Sequence, residues 1–190
     1  MNDATVYNGK VKQNMPPIRL AVSGKMRSGK DTLAEYLAES YGFVRFAFAD
    51  RLKEVAVELF GMSVARKDRH LLVELGRKMC EVDQLVWVNY VLGKIPLRAD
   101  VAISDMRFRY EYDALKAFRF TMARVEIDRD VQIRRATKSG SAVDVALMDD
   151  RSETDLDSVC FDFSINGMTY GTIGAGADAM MAKLGRRPLR

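Results

Sequence analysis

The chain has 190 residues, of which 48% are hydrophobic and 29% charged, a balance that is typical of one globular domain with a sizeable core. No apolar run is long enough to span a bilayer and the N-terminus lacks the apolar segment of a signal peptide, so we expect a cytoplasmic protein without a membrane partner. The net charge of +4 and the isoelectric point of about 9.1 favour phosphate-rich ligands without identifying a nucleic-acid binder.

Strand-like and helix-like segments alternate along the chain from Ile18 onward. Residues 1–17 come first and are polar, end in two prolines and show no sustained periodicity, which predicts a flexible leader. The predicted strands cover residues 18–23, 43–49, 100–105, 122–127 and 161–166. The predicted helices cover residues 31–42, 50–61, 68–82, 83–93, 109–118 and 177–185. This alternation predicts a three-layer α/β fold with a mainly parallel five-stranded sheet and helices on both faces.

Local signals mark several of these boundaries. Asp50 is expected to cap the second helix and Gly61 to end it. The segment 128–157 is polar and weakly patterned, and Gly167 with Gly171 predicts a turn before the last helix.

Cysteine and histidine exclude some functions. Cys80 and Cys160 lie in segments that look helical and strand-like and have no partner at metal-ligand spacing, so we expect buried thiols. The only histidine, His70, is expected at the surface. A single histidine removes most histidine-based metal sites and argues against a Ser/His/Asp triad.

A phosphate-binding motif, G-x-x-x-x-G-K, joins the first predicted strand to the first predicted helix. Its glycines let the backbone wrap closely around phosphates, its amides point inward, and the following helix adds its positive dipole end. A glycine turn with solvent-facing lysines would explain neither the spacing nor the position after a strand. We therefore predict an ATP site in which Lys30 reaches the β and γ phosphates. The predicted ATP-binding residues are Gly24, Lys25, Met26, Arg27, Ser28, Gly29, Lys30, Asp31 and Thr32.

Carboxylates provide the candidate magnesium ligands. Asp31 stands where this motif usually has a serine or threonine; it would hold Mg²⁺ directly or through water, or merely cap the helix, and Thr32 could replace it. Asp50 and Asp105 follow predicted strands, so we expect both at the carboxyl edge of the sheet, where each either serves the site or caps a helix. We predict Asp31 and Asp105 as the metal ligands, with Asp105 ending its strand in the manner of a Walker B carboxylate.

Cations would neutralise charge during phosphoryl transfer. Arg107 lies two residues after Asp105, and Arg134 with Arg135 is predicted to belong to a mobile lid. Arg51 and Arg77 are further candidates. Arginines on helices are often solvated, so we expect about half of these four to touch a ligand. The predicted catalytic residues are Lys30, Asp50, Asp105, Arg107, Arg134 and Arg135. Trp87 and Tyr90 either stack a base or, at helical spacing, belong to the core.

Five segments carry a resemblance to a known family: "GKMRSGKDT", "FAFADRLKEVAVELFG", "VAISDMRFRYEYDAL", "RSETDLD" and "DFSINGMTYGTI". They resemble the deoxynucleoside monophosphate kinases of bacteriophages, a branch of the P-loop nucleotide kinases, over most of residues 18–185. The resemblance implies a kinase domain at 18–185, with an acceptor region at about 50–95 and a lid at about 128–157, followed by a basic tail at 186–190. It implies ATP as phosphate donor, Mg²⁺, and a deoxynucleotide acceptor.

Three functions remain open at this stage. A free deoxynucleoside monophosphate is preferred as acceptor. The alternative acceptor is 5-hydroxymethyluracil within DNA, which related phage kinases with the same donor site phosphorylate. With a DNA acceptor, the excess positive charge, the basic tail and the leader would contact the DNA backbone. A nucleotide-binding protein that transfers no phosphate is the third alternative. The oligomeric state is open as well, a homodimer included.

Overall fold

A computed structural model of the chain describes residues 6–7, 10–11, 15–138 and 148–189. The strands are β1 (Val6–Tyr7), β2 (Lys10–Val11), β3 (Arg19–Gly24), β4 (Val44–Phe46), β5 (Val101–Met106), β6 (Thr121–Glu126) and β7 (Phe163–Asn166). The helices are α1 (Lys30–Tyr41), α2 (Phe48–Phe60), α3 (Arg69–Val82), α4 (Val86–Leu92), α5 (Arg109–Ala117), α6 (Arg129–Lys138), α7 (Arg151–Thr154) and α8 (Tyr170–Lys183).

The main sheet has five strands in the order β4-β5-β3-β6-β7. All four neighbouring pairs are parallel, so each connection must cross over the sheet, and most crossovers carry a helix. The register between β3 and β5 shifts beyond Ala21, next to the end of the strand that leads into the P-loop. The predicted α/β fold with a parallel five-stranded sheet is confirmed.

Both faces of the sheet are covered, because alternate residues of each buried strand point to opposite sides. On one face Leu20 and Val22 pack with residues of α1 and α8, including Leu37 and Met180. On the other face Ala21 and Ile103 pack with α4 and α5. The carboxyl ends of β3, β5 and β6 therefore lie between two apolar layers, which fixes the edge of the sheet where the P-loop begins.

The second strand and the second helix differ from the prediction. β4 ends at Phe46 and the backbone of Ala47 is the N-cap of α2, so Asp50 lies inside the first helical turn and is not the cap. The reason is a contact from a distant strand: both carboxylate oxygens of Asp105 accept hydrogen bonds from the first two amides of α2, those of Phe48 at 2.8 Å and Ala49 at 2.9 Å. Asp105 therefore caps this helix from β5.

The last helix also starts earlier than predicted. Thr169 caps α8 by accepting a hydrogen bond from the amide of Thr172, and the helix then begins at Tyr170. Gly171 consequently lies in the first helical turn and does not form the predicted turn. Cys160 precedes β7 and is exposed, which contradicts the expected buried strand thiol; Cys80 is partly buried in α3.

Pro16 and Arg186 meet beside the amino ends of the strands. β1 and β2 form a short antiparallel pair within the leader segment. In the basic tail, Arg186 forms an ion pair with Asp100 at 3.1 Å and donates a hydrogen bond to the Pro16 carbonyl oxygen at 2.7 Å. Asp100 also accepts a hydrogen bond from the amide of Ile18. None of the helices in the described ranges has the length and apolar composition needed to cross a membrane.

Candidate active site

The P-loop spans the turn from β3 to α1. Gly29 has a φ of 101° at the N-cap of α1, a left-handed conformation that glycine adopts without strain. A Cβ at this position would also lie 2.6 Å from Cδ1 of Ile173. Arg27 has a φ of 63°, which is uncommon for a residue with a side chain and is found at functional loops. The loop is thus held in a shape that depends on glycine and on contact with α8.

A cleft of about 370 Å³ opens at this loop. Its walls come from the P-loop, the start of α1, helix α6 and the start of α8. The lining residues are Arg27, Gly29, Lys30, Asp31, Thr32, Arg135, Tyr170 and Ile173. The structure therefore brings the predicted phosphate-binding residues of the second half of the motif to one cleft, together with one of the two predicted lid arginines.

Lys30 is the first residue of α1 and is buried. Its Nζ lies 3.4 Å from the carbonyl oxygen of Lys25, a long hydrogen bond that leaves the ammonium weakly satisfied. Burial, followed by the nearby positive charge of Arg107, lowers the pKa of Lys30 from its usual value. Ser28 Oγ is also buried and has no hydrogen-bond partner among the described residues. Two buried polar groups with few partners are what an anion site requires before its ligand arrives.

An acidic segment after α6 holds the P-loop in place. Two residues of this segment, Glu153 and Asp157, contact the P-loop, and we call this pair the acidic strap. Glu153 Oε2 accepts a hydrogen bond from the amide of Met26 at 2.5 Å. Asp157 accepts one from Lys25 Nζ at 2.8 Å and also pairs with Arg124 of β6. Lys25 is therefore engaged by the protein itself.

Arg107 sits between two buried carboxylates. Its Nη1 donates to Glu153 Oε1 at 2.5 Å, and its backbone amide donates to Glu111 Oε2 at 2.7 Å. Burial raises the pKa of Glu111 from 4.5 to about 8, against the lowering effect of the hydrogen bonds from the amides of Arg107 and Phe108. The predicted arginine of this site is thus fixed by two acidic residues that the sequence analysis did not single out.

The two predicted metal ligands lie in different environments. Asp31 lines the cleft and is exposed, with Arg45 Nη2 3.9 Å from its Oδ1. Asp105 has both carboxylate oxygens occupied by amides of α2, and burial raises its pKa. Asp31 is therefore the more accessible oxygen donor at the cleft, and the role of Asp105 as a metal ligand stays a prediction.

The predicted catalytic Asp50 faces solvent in an ion-pair cluster. It contacts Lys53 Nζ at 2.9 Å and Arg45 Nη1 at 3.1 Å. Because Arg45 also approaches Asp31, this cluster borders the start of α1. The negative charge of Asp50 adds a small contribution to the raised pKa of Asp105, which comes mainly from burial.

The two predicted lid arginines have different surroundings. Arg135 donates hydrogen bonds to four carbonyl oxygens, those of Arg27, Ser28, Gly167 and Met168. It thus ties α6 to the P-loop and to the loop after β7. Arg134, the preceding residue, is exposed. Residues 139–147, the middle of the lid predicted at about 128–157, lie outside the described residues.

Helices α2 to α4 carry exposed charges, and we call them the acceptor flank because they coincide with the predicted acceptor region at about 50–95. Arg51 lies over the ring of Tyr90 at 5.4 Å and pairs with Glu54, while Arg77 pairs with Glu74 and Glu81. Tyr90 is 37% exposed, and Lys94 also lies over its ring, at 5.7 Å. Trp87 is buried in the core, as its helical spacing predicted.

The site residues that sequence reasoning missed are Glu111, Glu153, Asp157 and Tyr170. Glu111 appears in the sequence as one acidic residue of an amphipathic helix, which gives no signal of burial. The other three lie in segments whose only signal was the resemblance of "RSETDLD" and "DFSINGMTYGTI" to the family. Their contacts join residues more than a hundred positions apart, and no local pattern encodes such contacts.

A family comparison agrees with this site. Residues 19–82 match the deoxynucleotide monophosphate kinase family, about a third of the chain that includes the P-loop and helices α1 to α3. No curated protein matches the chain.

Solved structures share the fold over nearly the whole chain. A gluconokinase from Sinorhizobium meliloti 1021 superposes with a TM-score of 0.60 at 19% identity, covering 88% of this chain and 93% of that one. The tunicamycin resistance protein of Deinococcus radiodurans gives 0.58 at 20% identity, covering 93% and 99%. Shikimate kinase from Bacteroides thetaiotaomicron gives 0.53 at 15% identity, covering 89% and 99%. The shared fold, the P-loop and the family match together support a P-loop kinase.

Proposed function

We propose that the chain transfers the γ-phosphate of ATP to a deoxynucleoside monophosphate. The observation that carries the proposal is the P-loop cleft with the buried Lys30 and the unpartnered Ser28 hydroxyl. The match of residues 19–82 to the deoxynucleotide monophosphate kinase family supports this class of acceptor. The resemblance to phage enzymes favours a role in making DNA precursors.

The residues of the cleft fit a triphosphate. A Cβ at Gly167 would lie 2.3 Å from the Ser28 carbonyl oxygen, so the loop after β7 presses directly on the P-loop and supports its shape. Lys30 supplies the cation for the terminal phosphates, and the N-terminus of α1 adds its positive end. Tyr170 and Arg135 line the same cleft and give the nucleoside a planar aromatic and a planar cationic neighbour.

Magnesium fits the exposed part of the cleft. Asp31 and Thr32 line it with one carboxylate and one hydroxyl, and Mg²⁺ is usually held by one or two carboxylates together with substrate phosphates. When bound, the ion would neutralise charge on the β and γ phosphates. We assign its protein ligands to Asp31, with Thr32 as the neighbouring oxygen.

The transfer itself needs positioning and charge more than a protein base. The bond between the γ phosphorus and the β-γ bridging oxygen breaks, and a phosphate oxygen of the acceptor forms the new bond, so ADP leaves and a diphosphate results. A monophosphate brings an anionic nucleophile and requires cations to hold it near the donor. Arg107, which is bonded to Glu153 beside the P-loop, and Arg51 are the cations that we expect to hold the acceptor.

The proposal is tested by transfer from γ-labelled ATP. Each of the four deoxynucleoside monophosphates is offered separately, beside duplex DNA with and without 5-hydroxymethyluracil. We expect label on a free nucleotide, with a preference among the bases. The Lys30→Ala variant is the matched blank for contaminating kinases.

Two results would overturn the proposal in favour of the alternatives. Label retained only on DNA that contains 5-hydroxymethyluracil would identify a DNA-modifying kinase, in which Asp50 and Asp105 become candidates for taking the hydroxyl proton. ATP binding without label on any acceptor would favour a nucleotide-binding protein that transfers no phosphate.

A further inference from the structure

We propose that Glu153 is a positioning residue, which holds the P-loop amide of Met26 and the guanidinium of Arg107 in one fixed arrangement for phosphoryl transfer. The inference rests on the proposed function, since it assigns a role within the same site. Glu153 belongs to the short helix α7, and its side chain is 4% exposed. A buried carboxylate must be matched by charge or by donors, and both are supplied by elements of the phosphate site.

The two oxygens of Glu153 serve two different elements. Oε2 accepts from Met26 in the P-loop, and Oε1 accepts from Nη1 of Arg107 just after β5, each at 2.5 Å. Hydrogen bonds to an ionised carboxylate are short and strong. One side chain therefore fixes the distance between the loop that binds the donor phosphates and the cation beside it.

The guanidinium of Arg107 is held on one side only. Among the described residues its guanidinium has a hydrogen bond through Nη1 alone, and the other N-H groups are left to a ligand. Arg107 is also close enough to Lys30 to lower the pKa of that lysine. The arginine is thus anchored by Glu153 and shares the electrostatic field in which the phosphates would sit.

The charge of Glu153 has a second effect, on ATP affinity. The carboxylate balances Arg107 and repels an incoming triphosphate. Replacing it with the isosteric, neutral glutamine removes this repulsion and leaves Arg107 unbalanced, so ATP should bind more tightly. The transfer should nevertheless slow, because Arg107 loses its anchor. A purely structural role would weaken binding and transfer together.

The same segment offers a matched control. Asp155 accepts a hydrogen bond from the amide of Arg109 at 2.8 Å and pairs with Arg151 at 3.1 Å. It has the same charge, lies two residues away and holds α5 instead of the P-loop. Asp155→Asn should therefore lower stability without changing either property of the phosphate site.

The experiment measures ATP dissociation constants at low salt and single-turnover transfer for Glu153→Gln, Arg107→Gln, the double variant and Asp155→Asn. For Glu153→Gln we expect ATP binding about threefold to tenfold tighter and transfer about tenfold to a hundredfold slower. In the Arg107→Gln background the same substitution should slow transfer by less than about twofold, because its effect passes through Arg107. Asp155→Asn should change neither constant by more than about twofold.

A further variant separates charge from reach. Glu153→Asp keeps the negative charge on a shorter side chain, so it should leave ATP affinity within about twofold of the wild-type value while slowing transfer. It also keeps the inference testable if Glu153→Gln does not fold, which thermal unfolding would reveal.

Weaker or unchanged ATP binding in Glu153→Gln would overturn the inference. Full transfer activity in that variant would overturn it as well. So would a Glu153→Gln substitution that slows transfer as much in the Arg107→Gln background as in the wild type. If the wild-type chain binds ATP but labels no deoxynucleotide, the proposed function fails by itself. The ATP dissociation constants then still test whether Glu153 lies beside the bound phosphates. The rate of slow ATP hydrolysis is measured in place of phosphate transfer.

Discussion

Polar side chains are buried around the P-loop, whereas on the acceptor flank they are exposed. Within the part of the chain whose burial is described, the buried polar and charged residues are Ser23, Ser28, Lys30, Ser104, Glu111, Gln132 and Glu153. They lie on the P-loop, on the ends of β3 and β5, and on the helices that adjoin them. Helix α3, by contrast, has no buried residue, and the side chains of its ion pairs are at least 44% exposed.

This difference indicates how each region is prepared for its ligand. Buried polar groups destabilise a fold unless they are paired, and at the P-loop the Lys30 ammonium and the Ser28 hydroxyl are two such groups that an anion would pair. Exposed ion pairs contribute about 0 to 1 kcal/mol each, so the acceptor flank is held mainly by the partly buried apolar residues between α2, α3 and α4. We expect a preformed donor site and an acceptor flank whose local unfolding has a low free energy.

The largest expected effect is on activity at Lys30. Lys30→Ala should lower phosphate transfer by about a thousandfold or more while the fold persists, because the buried ammonium is the main cation of the P-loop. Lys78→Ala, on the exposed surface of α3, should stay within about threefold of wild type. Parallel assays with circular dichroism check both, and near-normal activity of a folded Lys30→Ala protein would remove the donor-site assignment.

A glycine pair tests whether the donor side is as rigid as its packing indicates. Gly167→Ala would place a Cβ 2.3 Å from the Ser28 carbonyl oxygen and 2.9 Å from that of Glu126, so it should destabilise the protein by about 2 to 4 kcal/mol. Gly171→Ala meets only Thr169 Oγ1 at 3.8 Å in the first turn of α8, and should stabilise by up to about 1 kcal/mol. Urea unfolding measures both; equal stabilities would contradict the close approach of the loop after β7 to the P-loop.

Adjacent arginines on α6 provide a smaller contrast. Arg135→Ala removes donors from four backbone carbonyls and should cost about 1 to 3 kcal/mol of unfolding free energy. Arg134→Ala removes an exposed side chain and should change the stability by less than about 0.5 kcal/mol. If both variants lose the same stability, α6 is not tied to the phosphate site through Arg135.

A further expected effect is a pH dependence of the stability. The pKa of Glu111 rises on folding from 4.5 to about 8 through burial, so between these values the native state holds a proton that the unfolded state releases. Stability from this group is present below about pH 4.5 and is lost as the pH rises toward about 8. Glu111→Gln should therefore gain about 1 kcal/mol or more relative to wild type between pH 5 and pH 9.

The control for this prediction lies on the acceptor flank. A hydrogen bond from Arg77 holds the pKa of Glu74 below its usual range, so Glu74 is mostly ionised in both states across this pH window. Glu74→Gln should shift the stability curve without changing its slope between pH 5 and pH 9. The contrast between the two regions would fail if Glu74→Gln changed the slope of stability against pH, or if Glu111→Gln left that slope unchanged.

The sequence by itself determined the local features. The alternation of apolar strands and amphipathic helices predicted the parallel sheet, because each element must bury one face or both. The spacing of Gly24, Gly29 and Lys30 predicted the phosphate loop, since close approach of the backbone to an anion requires glycine at fixed positions. The ends of α1 at Gly42 and of α2 at Gly61 were likewise encoded locally.

Only the tertiary structure decided which polar groups meet at the site. Asp105 caps a helix that begins 57 residues earlier, and Glu153 bonds an amide 127 positions away. The sheet order brings β5 beside β3, and this places Arg107 and the acidic strap against the P-loop. Such pairings depend on the packing of whole elements, and a one-dimensional pattern of charges does not specify which carboxylate becomes buried beside which cation.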